Sequence, residues 1–138
     1  MLSPDERLSS WRDFRKNLNF DDSNQAFHQV LKLWSSAPIT AKMIDPLDQY
    51  TWPTVWEILH MGAVCENSTA LGIGQTIYYA DQTREVEFLY VNDRHLEIEK
   101  LCALIDQKYL FNLEYTTISN YPNENYSILH RVSMLDII

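Results

Sequence analysis

Apolar residues recur at helical spacing in two stretches near the start of the chain. Ser3-Pro4-Asp5-Glu6 precedes the first stretch and combines a capping serine, a proline at the first helical position and a glutamate three residues after the serine. The apolar side chains that follow lie three or four positions apart: Leu8, Trp11, Phe14 and Leu18. The second stretch, after Asp21-Asp22, carries its own apolar side: Ala26, Phe27, Val30, Leu31 and Trp34. It must end near Ser36, because Pro38 disfavours a helix in the residue before it. Residues 3–36 are therefore predicted to form a helical hairpin.

Two more helices are predicted in the middle of the chain. Residues 37–53 contain three prolines without periodicity and are interpreted as an ordered loop. A short helix is predicted from Thr54 to Met61 and ends at Gly62. Trp52 and Trp56 flank Pro53 and are expected to be largely buried, anchoring the loop against the helix that bears the cysteine. The next helix is predicted to begin near Cys65 and run to about Tyr79. It contains two internal glycines, which cost about 1 kcal/mol each relative to alanine, so close packing of another element is expected there.

After residue 82 the apolar period changes to two, which is typical of strands. The segment 85–91 is predicted to be a strand, and Asn92-Asp93-Arg94 a turn. Segments 95–105 and 108–114 are predicted to pair as a hairpin across Asp106-Gln107, and 126–134 to add a further strand. Helices followed by a run of strands indicate an α+β fold with an antiparallel sheet.

Composition narrows the class of partner. The 138 residues fit a single domain, 1–138, and 46% of them are hydrophobic. The net charge of −8 argues against nucleic acid and anionic membrane surfaces as partners. The N-terminus lacks the basic and apolar regions of a signal peptide, and no run approaches the roughly 18 apolar residues of a membrane span. A cytoplasmic protein with reduced thiols is therefore expected.

Three side chains are candidates for chemistry. Cys65 stands at a predicted helix N-terminus, where unpaired N–H groups and the helix dipole favour a thiolate. Taken singly, Cys65 is more often a small core residue, His95 a surface residue beside a turn, and Asn112 a strand-edge residue. Cys102 lies in mid-strand, where burial is the default, and the histidines show no spacing typical of a metal site. No metal or cofactor is therefore expected.

The order of these residues is more informative than each one alone. A cysteine at a helix start is followed by a strand, by a histidine heading a second strand, and by an asparagine on the return strand. Nucleophilic catalysis by cysteine uses such a set: a thiol nucleophile, an imidazole base and an amide that orients the imidazole.

The stretch Trp52-x-Thr54-x-x-Glu57-x-Leu59-x-x-Gly62-x-x-Cys65-Glu66-Asn67 resembles the bacterial transglutaminase-like cysteine peptidases. The similarity continues through the strand Val86–Val91, through His95, and to Tyr109-Leu110-Phe111-Asn112, covering roughly residues 50–120. The resemblance implies a transglutaminase-like core, at residues 50–134, in which a central helix bearing the cysteine packs on an antiparallel sheet. It also implies Cys65 as nucleophile, His95 as base and Asn112 as the orienting residue.

The sequence departs from the family at two positions beside the cysteine. Val64 and Asn67 stand where the family carries acids. A fold can outlast its chemistry, so the expected function is a non-catalytic or weakly active module that binds a protein or peptide. The alternative is a cysteine peptidase or acyl transferase that uses Cys65, His95 and Asn112. The Trp-Pro-x-x-Trp-Glu stretch at Trp52–Glu57 is also similar to small bacteriophage proteins, which implies a structural, accessory or host-interacting role in the host cytoplasm or the virion.

Overall fold

A computed structural model describes residues 2–40, 44–113 and 117–137 of the chain. Across these ranges it contains four α-helices and five β-strands. The helices are α1 (Pro4–Lys16), α2 (Ser23–Ser35), α3 (Val55–Met61) and α4 (Glu66–Ala80). The strands are β1 (Val86–Asp93), β2 (Ile98–Ile105), β3 (Tyr109–Phe111), β4 (Ile118–Asn120) and β5 (Tyr126–Ser133). The described strands form one antiparallel sheet in the order β4-β3-β2-β1-β5. The predicted α+β class is therefore confirmed.

Local capping signals begin the helices where the sequence predicted. At α1, Glu6 N–H donates to Ser3 Oγ and Ser3 N–H donates to the Glu6 carboxylate, which completes the capping box. Thr54 and Glu57 make the same pair of bonds at α3, which ends at Gly62 in the left-handed conformation. These bonds satisfy backbone N–H groups that have no partner inside the helix. The two predicted N-terminal helices and the short third helix are confirmed. Helix α1 packs on α3 and α4, and α2 packs on α4.

Helix α4 is the centre of the fold. It packs against β1 and β2 on one side and against α1, α2 and α3 on the other. Every residue from Asn67 to Ile77 is buried. The N-terminal hairpin and the sheet contribute to one hydrophobic core around this helix, with members such as Trp11 and Phe27 from the hairpin and Phe88 from β1.

The two glycines of α4 allow neighbours to approach on opposite sides. Residues two positions apart in an α-helix point about 200° apart. An added Cβ at Gly72 would lie 2.5 Å from the Trp34 ring of α2, and one at Gly74 would lie 2.5 Å from the Phe88 ring of β1. The close packing predicted at these positions is confirmed.

The β1–β2 connection differs from the prediction. Strand β1 extends to Asp93, and residues 94–97 form the turn, so His95 does not head a strand. The reason is the Asp93 side chain, whose Oδ1 accepts the N–H groups of His95 and Leu96. Glu97 then adopts a positive φ of 52° and donates its N–H to the Asp93 carbonyl. This aspartate-centred turn delays the start of β2 to Ile98.

The next hairpin is confirmed, with shorter strands. Asp106 and Gln107 both have positive φ, as a type I′ two-residue hairpin turn requires. Strand β3 ends at Phe111, so Asn112, with φ of 76°, follows the strand. The predicted end at Glu114 lies outside the described residues. Strand β5 confirms the predicted last strand, while β4 was not predicted.

The tryptophans around Pro53 were expected to be largely buried, and this is wrong for Trp56. Trp52 is half-buried, with its ring against Phe88 and its indole N–H donating to the Asp45 carbonyl. Trp56 is 41% exposed and makes edge contacts with the rings of Trp11 and Tyr79. It lies on the outer side of α3, whereas Val55 and Ile58 face the core.

Because only part of the Trp56 ring is buried on folding, Trp56→Ala should destabilise the protein by about 1–2 kcal/mol. Replacing a fully buried tryptophan by alanine typically costs about 3–5 kcal/mol. Urea unfolding followed by circular dichroism measures this difference. Tyr50→Ala is the control, since Tyr50 is 89% exposed and its removal should change stability by less than about 0.5 kcal/mol. A loss above about 3 kcal/mol for Trp56→Ala would mean that the ring is a core residue.

Candidate functional site

Cys65 is the N-cap of α4, where the protein surrounds its sulfur with hydrogen-bond donors. Ser68 N–H donates to Cys65 Sγ at 3.4 Å, and Cys65 N–H donates to Ser68 Oγ at 2.8 Å. The pair forms a capping box in which the thiol replaces the usual hydroxyl. The residue is only 2% exposed.

Opposing effects act on the pKa of the Cys65 thiol. Burial raises it, while hydrogen bonds from the Ser68 hydroxyl and from the N–H groups of Ser68, Ile44 and Asn67 lower it. The hydrogen bonds outweigh burial, so the pKa of Cys65 lies below its ordinary value. Cys102 has the opposite character, because burial in the sheet raises its pKa to about 12.

Two asparagine side chains connect the start of α4 to the sheet. Leu101 lies in the part of β2 that extends past β3. Its N–H donates to Asn67 Oδ1 at 3.0 Å, and its carbonyl accepts from Asn112 Nδ2 at 2.9 Å. Asn112 Nδ2 also donates to the Glu66 carbonyl at 2.9 Å. The two amides thus satisfy backbone groups on the β2 edge where the sheet ladder has ended.

The structure brings Cys65 and Asn112 to the same region and places His95 elsewhere. Asn112 bonds to the residue that follows Cys65. His95 lies in the exposed β1–β2 turn, where its Nε2 is 3.0 Å from Asn125 Oδ1. Leu101, which bonds to both asparagines, lies three residues after the first residue of β2, or about 10 Å at strand spacing. His95 lies three residues before β2 begins, which places it farther still from these asparagines along the chain. Catalytic roles for Cys65, His95 and Asn112 remain predictions.

The sequence alone did not indicate which histidine shares a groove with Cys65. His60, on α3, lines the same groove as Cys65 and Ser68. The signal available was the short connection through Gly62, whose left-handed conformation brings the end of α3 beside the start of α4. Among the described residues, no group of three His, Cys, Asp or Glu side chains is arranged to hold a metal ion.

The fold has counterparts among solved structures. Calcium-bound Legionella pneumophila LapG matches with a TM-score of 0.75 and 11% identity, covering 96% of this chain and 77% of that one. A second Legionella pneumophila LapG structure matches with a TM-score of 0.71 and 13% identity, covering 94% and 75% respectively. The fold is transglutaminase-like. At such low identity the likeness concerns the fold alone. No protein-family model matches the sequence, and no curated protein matches it.

The transglutaminase-like fold explains why the sequence resemblance was visible. The stretch from Trp52 to Asn67 forms α3, its glycine-terminated turn and the start of α4. The later similar stretch ends at Asn112, which contacts the start of α4.

None of the helices in the described part of the chain is both long and apolar enough to cross a membrane.

Proposed function

We propose that this chain is a non-catalytic module that uses a transglutaminase-like fold to bind a protein or peptide. The observation that supports the proposal is the set of partners around Cys65. Among the described residues, its hydrogen bonds are to backbone N–H groups and the Ser68 hydroxyl, and no imidazole takes part. A thiol nucleophile needs a base within hydrogen-bond reach.

The groups that a catalytic triad would use have other partners. The Asn112 amide donates hydrogen bonds to two backbone carbonyls, and the His95 ring is hydrogen-bonded to the Asn125 side chain. The β2 residue contacted by both asparagines is Leu101, whose side chain is buried in the core. These contacts stabilise the junction between α4 and the sheet, as expected where a fold is kept without its chemistry.

The setting of the module is part of the proposal. The net charge of −8 argues against nucleic acid and anionic membranes as partners. The similarity of the Trp52–Glu57 stretch to small bacteriophage proteins supports a virion component or a host protein as partner, and a location in the host cytoplasm or the virion. A single domain over residues 1–138 is proposed, with the hairpin as an integral part of it.

The alternative is a cysteine peptidase or acyl transferase, and the lowered pKa of Cys65 is the observation in its favour. The Cys65 thiolate would attack a carbonyl carbon, and the imidazolium of His95 would protonate the departing amine. Water would then hydrolyse the thioester. Asn112 would have to hold the imidazole.

Alkylation of the two cysteines by iodoacetamide between pH 5 and 9 separates the two functions. Cys65 should show a reaction midpoint below the ordinary thiol value of about 8.5, while Cys102 should stay unreactive because burial raises its pKa to about 12. Under our proposal His95→Ala and His60→Ala leave the Cys65 midpoint unchanged. Ser68→Ala should move the midpoint upward, because the polar side chain of Ser68 helps to lower the pKa of Cys65.

The proposal fails if either histidine variant raises the midpoint by about one pH unit, since an imidazolium would then stabilise the thiolate. It also fails if a peptide library leaves an acyl adduct on Cys65 that His95→Ala abolishes. Mass spectrometry of the intact protein and its tryptic peptides reads out both results.

A further inference from the structure

A groove of about 970 Å³ lies beside the start of α4. Its base includes Cys65 and Ser68, one wall is the outer side of α3, and the other wall is the loop before α3. The α3 wall consists of Trp56, Glu57, His60 and Met61. The loop wall consists of Ile44, Asp45 and residues 50–53. The groove therefore lies between a helix and an ordered loop that contains the short 3₁₀ helix Gln49–Thr51, and its volume suits a peptide segment.

The rim of this groove carries large apolar side chains in contact with water. Tyr50 is 89% exposed, and Trp56 and Met61 are also exposed. Tyrosine, tryptophan and methionine are enriched at protein interfaces. The two aromatic side chains also supply contact area at low entropic cost. Several such residues on both walls of one groove mark an interaction site rather than scattered surface residues.

The charges of the groove select the kind of partner. Asp45 lies on the loop wall and Glu57 on the α3 wall, so carboxylates face the groove from both sides. None of the described lining residues is a lysine or an arginine. Both carboxylates are held in place: Asp45 accepts the N–H of Leu47, and Glu57 accepts the N–H of Thr54.

The negative charge of Asp45 also affects a tyrosine of the sheet. The pKa of Tyr90, on β1, is raised to about 12, first by burial, then by the hydrogen bond and charge of Glu99, and further by the charge of Asp45. The carboxylate of Asp45 therefore acts beyond the loop that carries it. The net charge of −8 adds to the attraction of a basic partner at long range.

We propose that this groove binds a peptide segment rich in lysine or arginine, with its cationic side chains between Asp45 and Glu57 and against the aromatic rings of the rim. Arginine and lysine form charge-assisted hydrogen bonds with carboxylates and pack favourably on tryptophan and tyrosine faces. This inference rests on the proposed function, because it names the class of partner for the same binding module.

The test is a titration of the protein with a short oligoarginine peptide and with an oligoglutamate peptide of equal length. Isothermal calorimetry measures affinity, and the fluorescence of Trp52 and Trp56 reports binding at the groove. The double variant Asp45→Asn/Glu57→Gln replaces each carboxylate by an amide. This removes both charges and leaves an amide oxygen that can accept the N–H of Leu47 or Thr54. We expect it to weaken oligoarginine binding about fivefold to tenfold.

The matched control is Asp13→Asn/Glu124→Gln, which removes the same two charges from exposed positions outside the groove. It should change affinity by less than about twofold, since exposed charges at a distance are screened by salt. Equal losses in the two double variants would overturn the proposal, because net charge alone would then attract the peptide. Binding of oligoglutamate as tight as that of oligoarginine would also overturn it.

The state of the peptide after the titration separates this inference from the proposed function. An intact, bound peptide supports both. A bound peptide that is cleaved, or that leaves an acyl group on Cys65, supports the groove and overturns the non-catalytic function. An unbound, intact peptide overturns the groove and leaves the non-catalytic function standing.

Discussion

Thr76→Val should destabilise the protein by about 2–6 kcal/mol, because it removes one hydroxyl that satisfies two buried indoles. Thr76 Oγ1 accepts the indole N–H of Trp11 from α1 and that of Trp34 from α2, each at 2.9 Å. The same hydroxyl donates to the Gly72 carbonyl at 2.6 Å within α4. Its one hydrogen and two lone pairs are thus all used.

Valine has the shape of threonine but cannot accept a hydrogen bond. Both indole N–H groups would remain buried without a partner, at a cost of about 1–3 kcal/mol each. Equilibrium unfolding in urea measures the change. Thr76→Ser is the control, because it keeps the hydroxyl and removes one methyl group. If the Thr76 hydroxyl satisfies both indoles, the valine variant must be less stable than the serine variant by at least about 1 kcal/mol.

Gly72→Ala should destabilise the protein by about 1–3 kcal/mol, although alanine is the better helix former. An alanine Cβ would lie 2.5 Å from the Trp34 ring, too close for any unshifted contact. The ring cannot turn away freely, because its indole N–H is bound to Thr76. Overpacking against a ring held in this way should cost about 2–4 kcal/mol, the upper part of the usual range and slightly beyond it. The gain of about 1 kcal/mol from replacing glycine in a helix then leaves a net loss of about 1–3 kcal/mol.

Urea unfolding of Gly72→Ala and of the double variant Gly72→Ala/Thr76→Val tests this cause. The two sites share Trp34, so their effects should not add. Once Thr76 no longer holds the indole, the ring can shift, and the added methyl group should cost less than it does in the wild-type background. Additive losses would mean that Trp34 does not connect the two positions, and an increase in stability for Gly72→Ala would contradict the close approach itself.

The sequence alone determined most of the secondary structure. The helices begin at capping pairs such as Ser3 with Glu6, which are complete within four residues and do not depend on the rest of the chain. The hairpin at Asp106-Gln107 is equally local, since the conformation of two residues sets the pairing of β2 with β3. The sequence also indicated that α4 would need close neighbours, because a helix with two glycines must recover their cost elsewhere.

Tertiary structure alone decided which groups meet. The sequence placed Cys65, His95 and Asn112 in the order of a catalytic triad, but the carboxylate of Asp93 holds His95 in a turn, and the amide of Asn112 bonds to the backbone. Trp56 was expected in the core, yet its position on α3 turns it towards the groove. Capping and turns depend on residues a few positions apart, so a sequence can reveal them. Burial and side-chain partnership depend on residues brought together from distant parts of the chain, as Trp11, Trp34 and Thr76 are.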